Sequence, residues 1–417
     1  MLADAGVRAV HDADDFEGDA VIINTCGFIG DAKEESIEAI LDACRAKADG
    51  LIGRVYVMGC LSERYRAELL AEIPEVDGWY GKFDWASVVA EIASAAGSEH
   101  KSADSAWDRR ITTPSHHAYL KIAEGCNRMC AFCAIPLITG RYKSRPAAEI
   151  LAEVRALVAQ GVKEFNIIAQ DLSYYGCDLA VETEAKSPLA RLLEDMSDIE
   201  GVEWIRLHYA YPAGFPLDIL PVMADRANIC KYLDIALQHI DDGVLRNMRR
   251  HIDSEQTRNL LSEMRRMVPG IHIRTTLMVG FPGETDEAFQ RLLDFVREQW
   301  FDRMGAFAYC EEDDTYAARN LADDIPPEVK QSRLNELMAV QEEIALELNE
   351  AKIGKTLRVI IDSENDDYYV GRSEFDSPEV DPEVLVKKTT KLKVGEFCEV
   401  RVTEAYPFEL IADPVLP

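Results

Sequence analysis

Residues 125–133 read GCNRMCAFC and set Cys126, Cys130 and Cys133 in a C-x3-C-x2-C spacing. Thiols this close on one loop can turn toward a single centre, and soft thiolate donors suit zinc or an iron–sulfur cluster. A structural zinc site takes four ligands and would need a further Cys or His nearby. None follows closely, and His116 and His117 precede the segment at the opposite end of an apolar strand pattern. A [4Fe–4S] cube held by three thiolates leaves one iron open to another ligand. Three unrelated core cysteines are the remaining reading.

Two further cysteines stand at places where chemistry gathers. Cys26 and Cys60 lie at or near the ends of the apolar runs AVIINTCGF (20–28) and RVYVMGC (54–60). Both runs have the pattern of buried parallel strands, and ligands collect at the carboxyl ends of such strands. The other five, Cys44, Cys177, Cys230, Cys310 and Cys398, are expected to be structural thiols, mostly buried.

The elements that must position these groups fall into three blocks. Residues 1–105 alternate strand runs with helix patterns at 32–47, 62–73 and 84–96, which predicts a small doubly wound α/β domain. The polar stretch 97–116 reads as a linker or covering loop. Residues 112–350 carry six strand candidates: 118–123, 164–169, 203–209, 232–237, 271–280 and 303–309. Amphipathic helices separate them, as in 147–160, where Ile150, Leu151, Val154, Leu157 and Val158 share a face. Six βα repeats predict a partial (β/α)6 TIM-type barrel, with GCNRMCAFC after its first strand, on the face where barrel active sites lie. A long helix pattern over 328–351 has Leu334, Leu337, Met338, Ile344, Ala345 and Leu348 on its apolar stripe. Residues 353–417 switch to five short alternating strands, which predicts a small OB-like β-barrel.

Composition narrows the setting. The chain has 417 residues, 47% of them hydrophobic, and no apolar run long enough for a membrane helix. The start, MLADAGVRAVHDADD, lacks the basic and apolar regions of a secretory signal, so a cytoplasmic location is expected. With 45 basic and 75 acidic residues the net charge is −30, which repels phosphate backbones and suits a basic partner.

The cysteine spacing, with Phe132 just before the last thiol, resembles the radical S-adenosylmethionine enzymes. The resemblance implies that the open iron chelates S-adenosylmethionine, which is then cleaved to methionine and a 5′-deoxyadenosyl radical. It further implies that the fifth-strand loop LMVGFPGET (277–285), with Gly280, Phe281, Pro282 and Gly283, packs beside the adenosine. Gln170 and Asp171, in IIAQDLSYYG (167–176), then meet the methionine end, although Asp171 could equally cap a turn.

NTCGFI (24–29), VMGCLSER (57–64), IPLITGRYKSRP (135–146) and YLDIALQHIDDGVLRNMRR (232–250) resemble one subgroup, the methylthiotransferases, and the C-terminal block resembles their TRAM domain. This implies that Cys26 and Cys60 hold a second, auxiliary [4Fe–4S] cluster that handles sulfur. The family's third auxiliary cysteine belongs on a strand before residue 1, followed by a helix whose end MLADAGVRAV resembles, so that ligand is expected to be missing from this chain.

Two branches of the family modify different targets, tRNA adenosine or the β-carbon of an aspartate in the small-subunit ribosomal protein number twelve. Residues 353–417 hold eight Lys/Arg against fourteen Asp/Glu, the wrong sign for a tRNA-binding barrel. HYAYPAGFP (208–216) and RMGAFAYCEEDDTYAA (303–318) resemble the ribosomal branch, with Glu311 and Glu312 expected to contact the basic target. The expected partners are therefore a basic ribosomal protein and an electron donor, without membrane or direct nucleic-acid binding. A non-thiolating, ribosome-associated binding protein is the alternative if the auxiliary cluster cannot form.

Overall fold

A computed structural model describes residues 2, 5–11, 18–27, 30–95, 109, 111, 114–179 and 186–415. Most of the expected linker 97–116 lies outside these residues. Of the N-terminal stretch read as a helix end, residues 5–10 form no helix. The chain divides into two compact bodies. One comprises Met1–Arg110, Phe132–Arg141 and Cys310–Asn320, and the other Ile111–Ala131, Tyr142–Tyr309 and Leu321–Pro417.

In the first body, strands β1 (Gly18–Thr25), β2 (Ile52–Gly59) and β3 (Gly78–Trp79) form a parallel sheet in that order. Helices α1 (Gly30–Ala48), α2 (Cys60–Glu72) and α3 (Trp85–Ala95) connect and cover it. Alternation along β2 feeds two cores. Val55 and Val57 pack with Ile40 and Ala43 of α1, and Tyr56 and Met58 pack with Val88 and Ile92 of α3. Both faces are thus covered, as a doubly wound sheet requires.

The second body is built on six parallel strands: β4 (His117–Lys121), β7 (Glu164–Ile168), β8 (Trp204–Ala210), β9 (Ile229–Gln238), β10 (His272–Val279) and β11 (Arg303–Ala308). They pair in the order β11-β10-β9-β8-β7-β4. A short ribbon, β5 (Ala123–Glu124) with β6 (Lys143–Ser144), follows the first of them. The connecting helices are α5 (Ala147–Ala159), α6 (Pro188–Ser197), α7 (Ile219–Asp225), α8 (Asp242–Asn247), α9 (Ser254–Met267) and α10 (Asp286–Gln299). The two short helices α4 (Ile135–Thr139) and α11 (Tyr316–Asn320) belong to the first body. Then come α12 (Pro327–Glu350) and a closed barrel of β12 (Thr356–Glu364), β13 (Tyr368–Ser373), β14 (Glu383–Lys387), β15 (Phe397–Tyr406) and β16 (Glu409–Pro414).

The parallel strands separate their two faces by chemistry. Leu120, Phe165, Ile167, Leu207, Leu233, Ile235, Ile273 and Leu277 join the helix-facing core. Their alternates are Tyr119, Glu164, Asn166, Arg206, His208, Asp234, Arg274 and Arg303, which therefore face the lumen. At the amino ends of the strands this polar lumen is floored by the segment after β13. Arg206 donates to the carbonyls of Ser373 (3.3 Å) and Glu374 (2.5 Å), Arg303 pairs with Asp376 at 2.7 Å, and Tyr232 donates to Asp381 at 2.8 Å.

Beside that floor, the wholly buried Glu164 carboxylate receives Arg372 at 3.0 and 2.7 Å and Arg206 at 3.2 Å. Arg372 also grips Asp362, whose Oδ1 meets His116 at 2.7 Å. His116, His117 and Asp362 lie close enough to share an ion. With a guanidinium already holding both carboxylate oxygens, the group reads as a hydrogen-bonded joint instead.

Burial works to raise the Glu164 carboxyl, but the Arg372 and Arg206 charges overcome it and hold it at about 2. Burial, aided by nearby arginine charge, depresses His208 to about 3 and His117 to about 4. Below pH ~6.5 the unfolded histidines bind protons that the folded ones refuse, so stability should decline from there. Glu164 should add a further loss as pH falls from ~4.5 toward 2, and Glu164→Gln should remove that acid limb from a urea-midpoint profile. At neutral pH, Arg372→Met strips a buried carboxylate of its main partner and should lower stability by about 3–5 kcal/mol. Trp204, packed on Ile360 and Phe397, supplies the fluorescence signal.

Candidate cluster sites

In the first body Cys26 and Cys60 stand just past the carboxyl ends of parallel strands, and in the second Cys126 follows the short ribbon strand β5. In the first body, Thr25 of β1 is in register with Gly59 of β2, so Cys26 and Cys60 follow directly on paired residues. Backbone contact makes the approach close. Gly59 has φ +115, and a Cβ there would lie 2.4 Å from the Thr25 carbonyl oxygen. A Cβ on Gly27 would lie 2.7 Å from the Leu61 Cα. The Ser36 hydroxyl accepts from the Cys26 amide at 3.0 Å and donates to its carbonyl at 3.2 Å, fixing that residue while its thiol side is exposed. Cys60 opens α2 and is half-buried.

The acidic pair read as a substrate contact divides. Glu311 is exposed. Glu312 is only 4% exposed, and its Oε2 meets Lys33 at 3.1 Å and Arg64 at 3.3 Å within the same body. Arg64 also donates to the Gly27 carbonyl at 3.3 Å. This corrects the expectation for Glu312: its charge is spent inside, bracing the turn that carries Cys26, because two cations on α1 and α2 claim it. The expectation that the remaining cysteines are mostly buried is also corrected, since Cys177 and Cys310 are exposed and only Cys230 is fully buried.

In the second body, Gly125 (φ +84) turns the chain out of β5 into Cys126. Burial pushes the Cys126 thiol up to about 11, although the Arg128 amide donates toward its sulfur at 3.5 Å. Met129 adopts φ +52, a left-handed conformation a side chain rarely takes, directly before Cys130. The Cys130 sulfur lies 3.3 Å from Nη1 of Arg250 and 4.0 Å from the Tyr211 hydroxyl. Within this body, two soft donors on one loop, Cys126 and Cys130, the second facing a cation, suit an anionic iron–sulfur group. Cys133 is half-buried and follows in the segment that folds with the first body.

Asp171 is 1% exposed and accepts from Nε of Arg128 at 2.5 Å. Burial raises its carboxyl despite that charge, and its second oxygen is buried without a hydrogen-bond partner. Gln170 donates to Glu124 at 2.5 Å, and Lys121 pairs with Glu124 at 2.6 Å. The fifth-strand loop is held from beneath. Gly280 (φ +72) lies over Lys330 and donates to Glu284 at 2.8 Å, while the Pro282 carbonyl accepts from Asn247 at 3.3 Å. Phe281 is fully buried, edge-on to Tyr309 at 5.0 Å, so its ring supports the turn and only Gly283 of the four is exposed.

Arg128, Arg250, Tyr211 and Glu124 were not singled out from sequence. The signal for Glu124 was its place two residues before the first thiol. The arginines carried none, since a charged residue on a loop, like Arg128, or just past a helix, like Arg250, reads as solvated.

A partly open parallel barrel with its cysteine loop above and a small closed barrel below defines a radical S-adenosylmethionine protein with a TRAM domain. The family model for the Radical SAM superfamily matches residues 120–296, that for the TRAM domain 353–415, and that for the Uncharacterized protein family UPF0004 1–81. The ribosomal protein uS12 methylthiotransferase RimO of Phocaeicola vulgatus is 56% identical over 98% of this chain and 92% of its own length. Those of Bacteroides thetaiotaomicron (56%; 99% and 93%) and Christiangramia forsetii (49%; 97% and 88%) are similarly related. Among solved structures, the radical S-adenosylmethionine methyltransferase TsrM of Kitasatospora setae superposes with a TM-score of 0.51 at 17% identity, over 66% of this chain and 59% of that one, a likeness of fold alone. The chain belongs to the RimO family of ribosomal protein uS12 methylthiotransferases.

Gly59→Ala forces a Cβ into the Thr25 backbone at a positive φ, and should destabilise the first body by about 2 kcal/mol or more. Gly30→Ala meets open space and should change stability by less than about 0.5 kcal/mol. Urea titrations of the two variants measure the difference.

Proposed function

We propose that the protein adds a methylthio group to the β-carbon of an aspartate in ribosomal protein uS12, by radical S-adenosylmethionine chemistry. The observation that carries this reading is the cysteine loop over the carboxyl end of a parallel barrel, in a chain whose relatives named for that activity match it almost end to end. Three blocks share the work: residues 1–105, 112–350 and 353–417. Cys126, Cys130 and Cys133 would hold one [4Fe–4S] cluster, and Cys26 and Cys60 would contribute to a second. When bound, the first cluster with S-adenosylmethionine supplies a radical able to take hydrogen from carbon, and the second serves sulfur transfer.

The chain's own residues position and enclose. Arg128 and Asp171 neutralise each other beside the first cysteine, and Gln170 with Glu124 forms a polar edge for the amino-acid end of the cofactor. Exposed Gly283, which has no side chain, offers the adenosine a backbone surface on this loop, with buried Phe281 stiffening the turn. Excluding water at such a site protects a reactive species from side reactions. A net charge of −30 favours encounter with a basic ribosomal protein, and Glu311 offers it an exposed carboxylate. An electron donor and a cytoplasmic setting complete the reading.

Mass spectrometry of uS12 after anaerobic incubation with the reconstituted protein, S-adenosylmethionine, sulfide and a reductant tests it. A methylthio mass increment on one aspartate is expected, and it should vanish in Cys130→Ala together with the iron of the first cluster. An unmodified uS12 alongside a methylthiolated tRNA adenosine would overturn the substrate assignment.

A further inference from the structure

Helix α8 ends in an unusual way. Arg249 donates to the Arg246 carbonyl and Arg250 to the Leu245 carbonyl, each at 3.0 Å, the paired bonds of a Schellman stop. The left-handed position of that stop normally belongs to glycine, yet here Arg249 holds φ +59, and His251 follows at φ +55. Two strained residues thus flank Arg250, and such strain persists only where the surroundings over-determine it.

What they aim is a buried guanidinium. Arg250 is 3% exposed, donates to the Ala236 carbonyl, and lies over the Tyr211 ring at 4.1 Å, where Arg128 also lies at 4.2 Å. The Tyr211 hydroxyl donates back to the Arg250 carbonyl at 2.6 Å. The remaining arm reaches the Cys130 sulfur at 3.3 Å, while the Ala131 amide donates to the Met248 carbonyl at 3.0 Å. The helix stop therefore grips the cysteine loop twice, once through backbone and once through charge.

We propose that Arg250 is a positioning residue that sets the ease of one-electron reduction of the cluster held by Cys126, Cys130 and Cys133, through its charged hydrogen bond to the Cys130 sulfur. The inference rests on the cluster assignment above. Hydrogen bonds to cluster sulfurs and nearby charge tune reduction potential. A fixed cation stabilises the more negative, reduced state, so removing it makes reduction harder. The Tyr211 ring, shared by two guanidinium groups, keeps the arm from swinging to water.

The test uses the full chain with Cys26→Ala and Cys60→Ala, so that only the barrel cluster forms, reconstituted anaerobically and titrated against redox mediators with electron paramagnetic resonance detection. With Arg250→Gln, the ratio of reduced to oxidised cluster at a fixed potential should fall about tenfold at unchanged iron content, the scale of one charge-assisted hydrogen bond. An unchanged ratio with intact iron overturns the inference. If Arg250→Gln fails to hold iron, Tyr211→Leu decides: it leaves the guanidinium but removes its platform. The ratio should then fall severalfold, and no change overturns the inference. Failure of the parent, with Arg250 intact, to bind about four irons would overturn the cluster assignment itself.

Discussion

The second body depends on one carboxylate. Glu164 opens the second barrel strand, is fully buried, and is charged only because Arg372 reaches it from the small barrel and Arg206 from the next strand. A desolvated charge like this is expensive unless it is paired and fully hydrogen-bonded, so the three groups must arrive together. That requirement joins two sheets of different construction. Because Arg372 comes from β13, the strand that leads into the flooring segment, satisfying Glu164 also places Ser373, Glu374, Asp376 and Asp381 beneath the lumen. Hydrophobic contact, here chiefly Trp204, Cys230, Tyr232 and Ile360 with Phe397, is non-directional and would allow sliding; directional charge contacts fix the register.

With the floor at the amino ends, the carboxyl ends are left for chemistry, and stability and reactivity are divided along the barrel axis. The lumen between is polar because only its outer face packs on helices. This also explains which parts were legible in the sequence. The six strands could be read because Val, Ile and Leu dominate their helix-facing positions. The lumen escaped notice because Asn166, Arg206 and His208 sit singly between apolar neighbours, where a lone polar residue signals little, and Glu164 and Arg274 stand beside other polar residues near strand starts. Along α12 the apolar stripe was legible, but the burial of Lys330, Arg333 and Gln341 was not, since each takes a partner from outside the helix, such as Asp323, Glu284 or the Phe301 carbonyl. Tertiary partners, not local pattern, decide such positions.

The cysteines were legible for the opposite reason. Thiol spacing is itself the chemistry, and the loop needs no distant information to bring Cys126 and Cys130 onto one turn. Their surroundings were only half legible. The glycines at 59 and 280 announce close approach in principle, but which backbone or side chain approaches, Thr25 in one case and Lys330 in the other, is set by sheet register and by a helix fifty residues away. Glu312 misled because an acidic run on a loop looks like a solvated surface, and nothing local reveals Lys33 and Arg64 waiting on two earlier helices.

The same logic explains why Arg250 carries so much and showed so little. A glycine at 249 would have marked the end of α8 and allowed the following residue many directions. An arginine there restricts the backbone, so the left-handed turn persists only while Tyr211, Ala236 and the cysteine loop hold Arg250 in place. The strain and the contact are therefore coupled: the helix stop is stable because the loop is gripped, and the loop is gripped because the stop points the guanidinium at sulfur. A cation delivered this way is dry and oriented before any electron arrives, which is the condition under which a single charge acts most strongly.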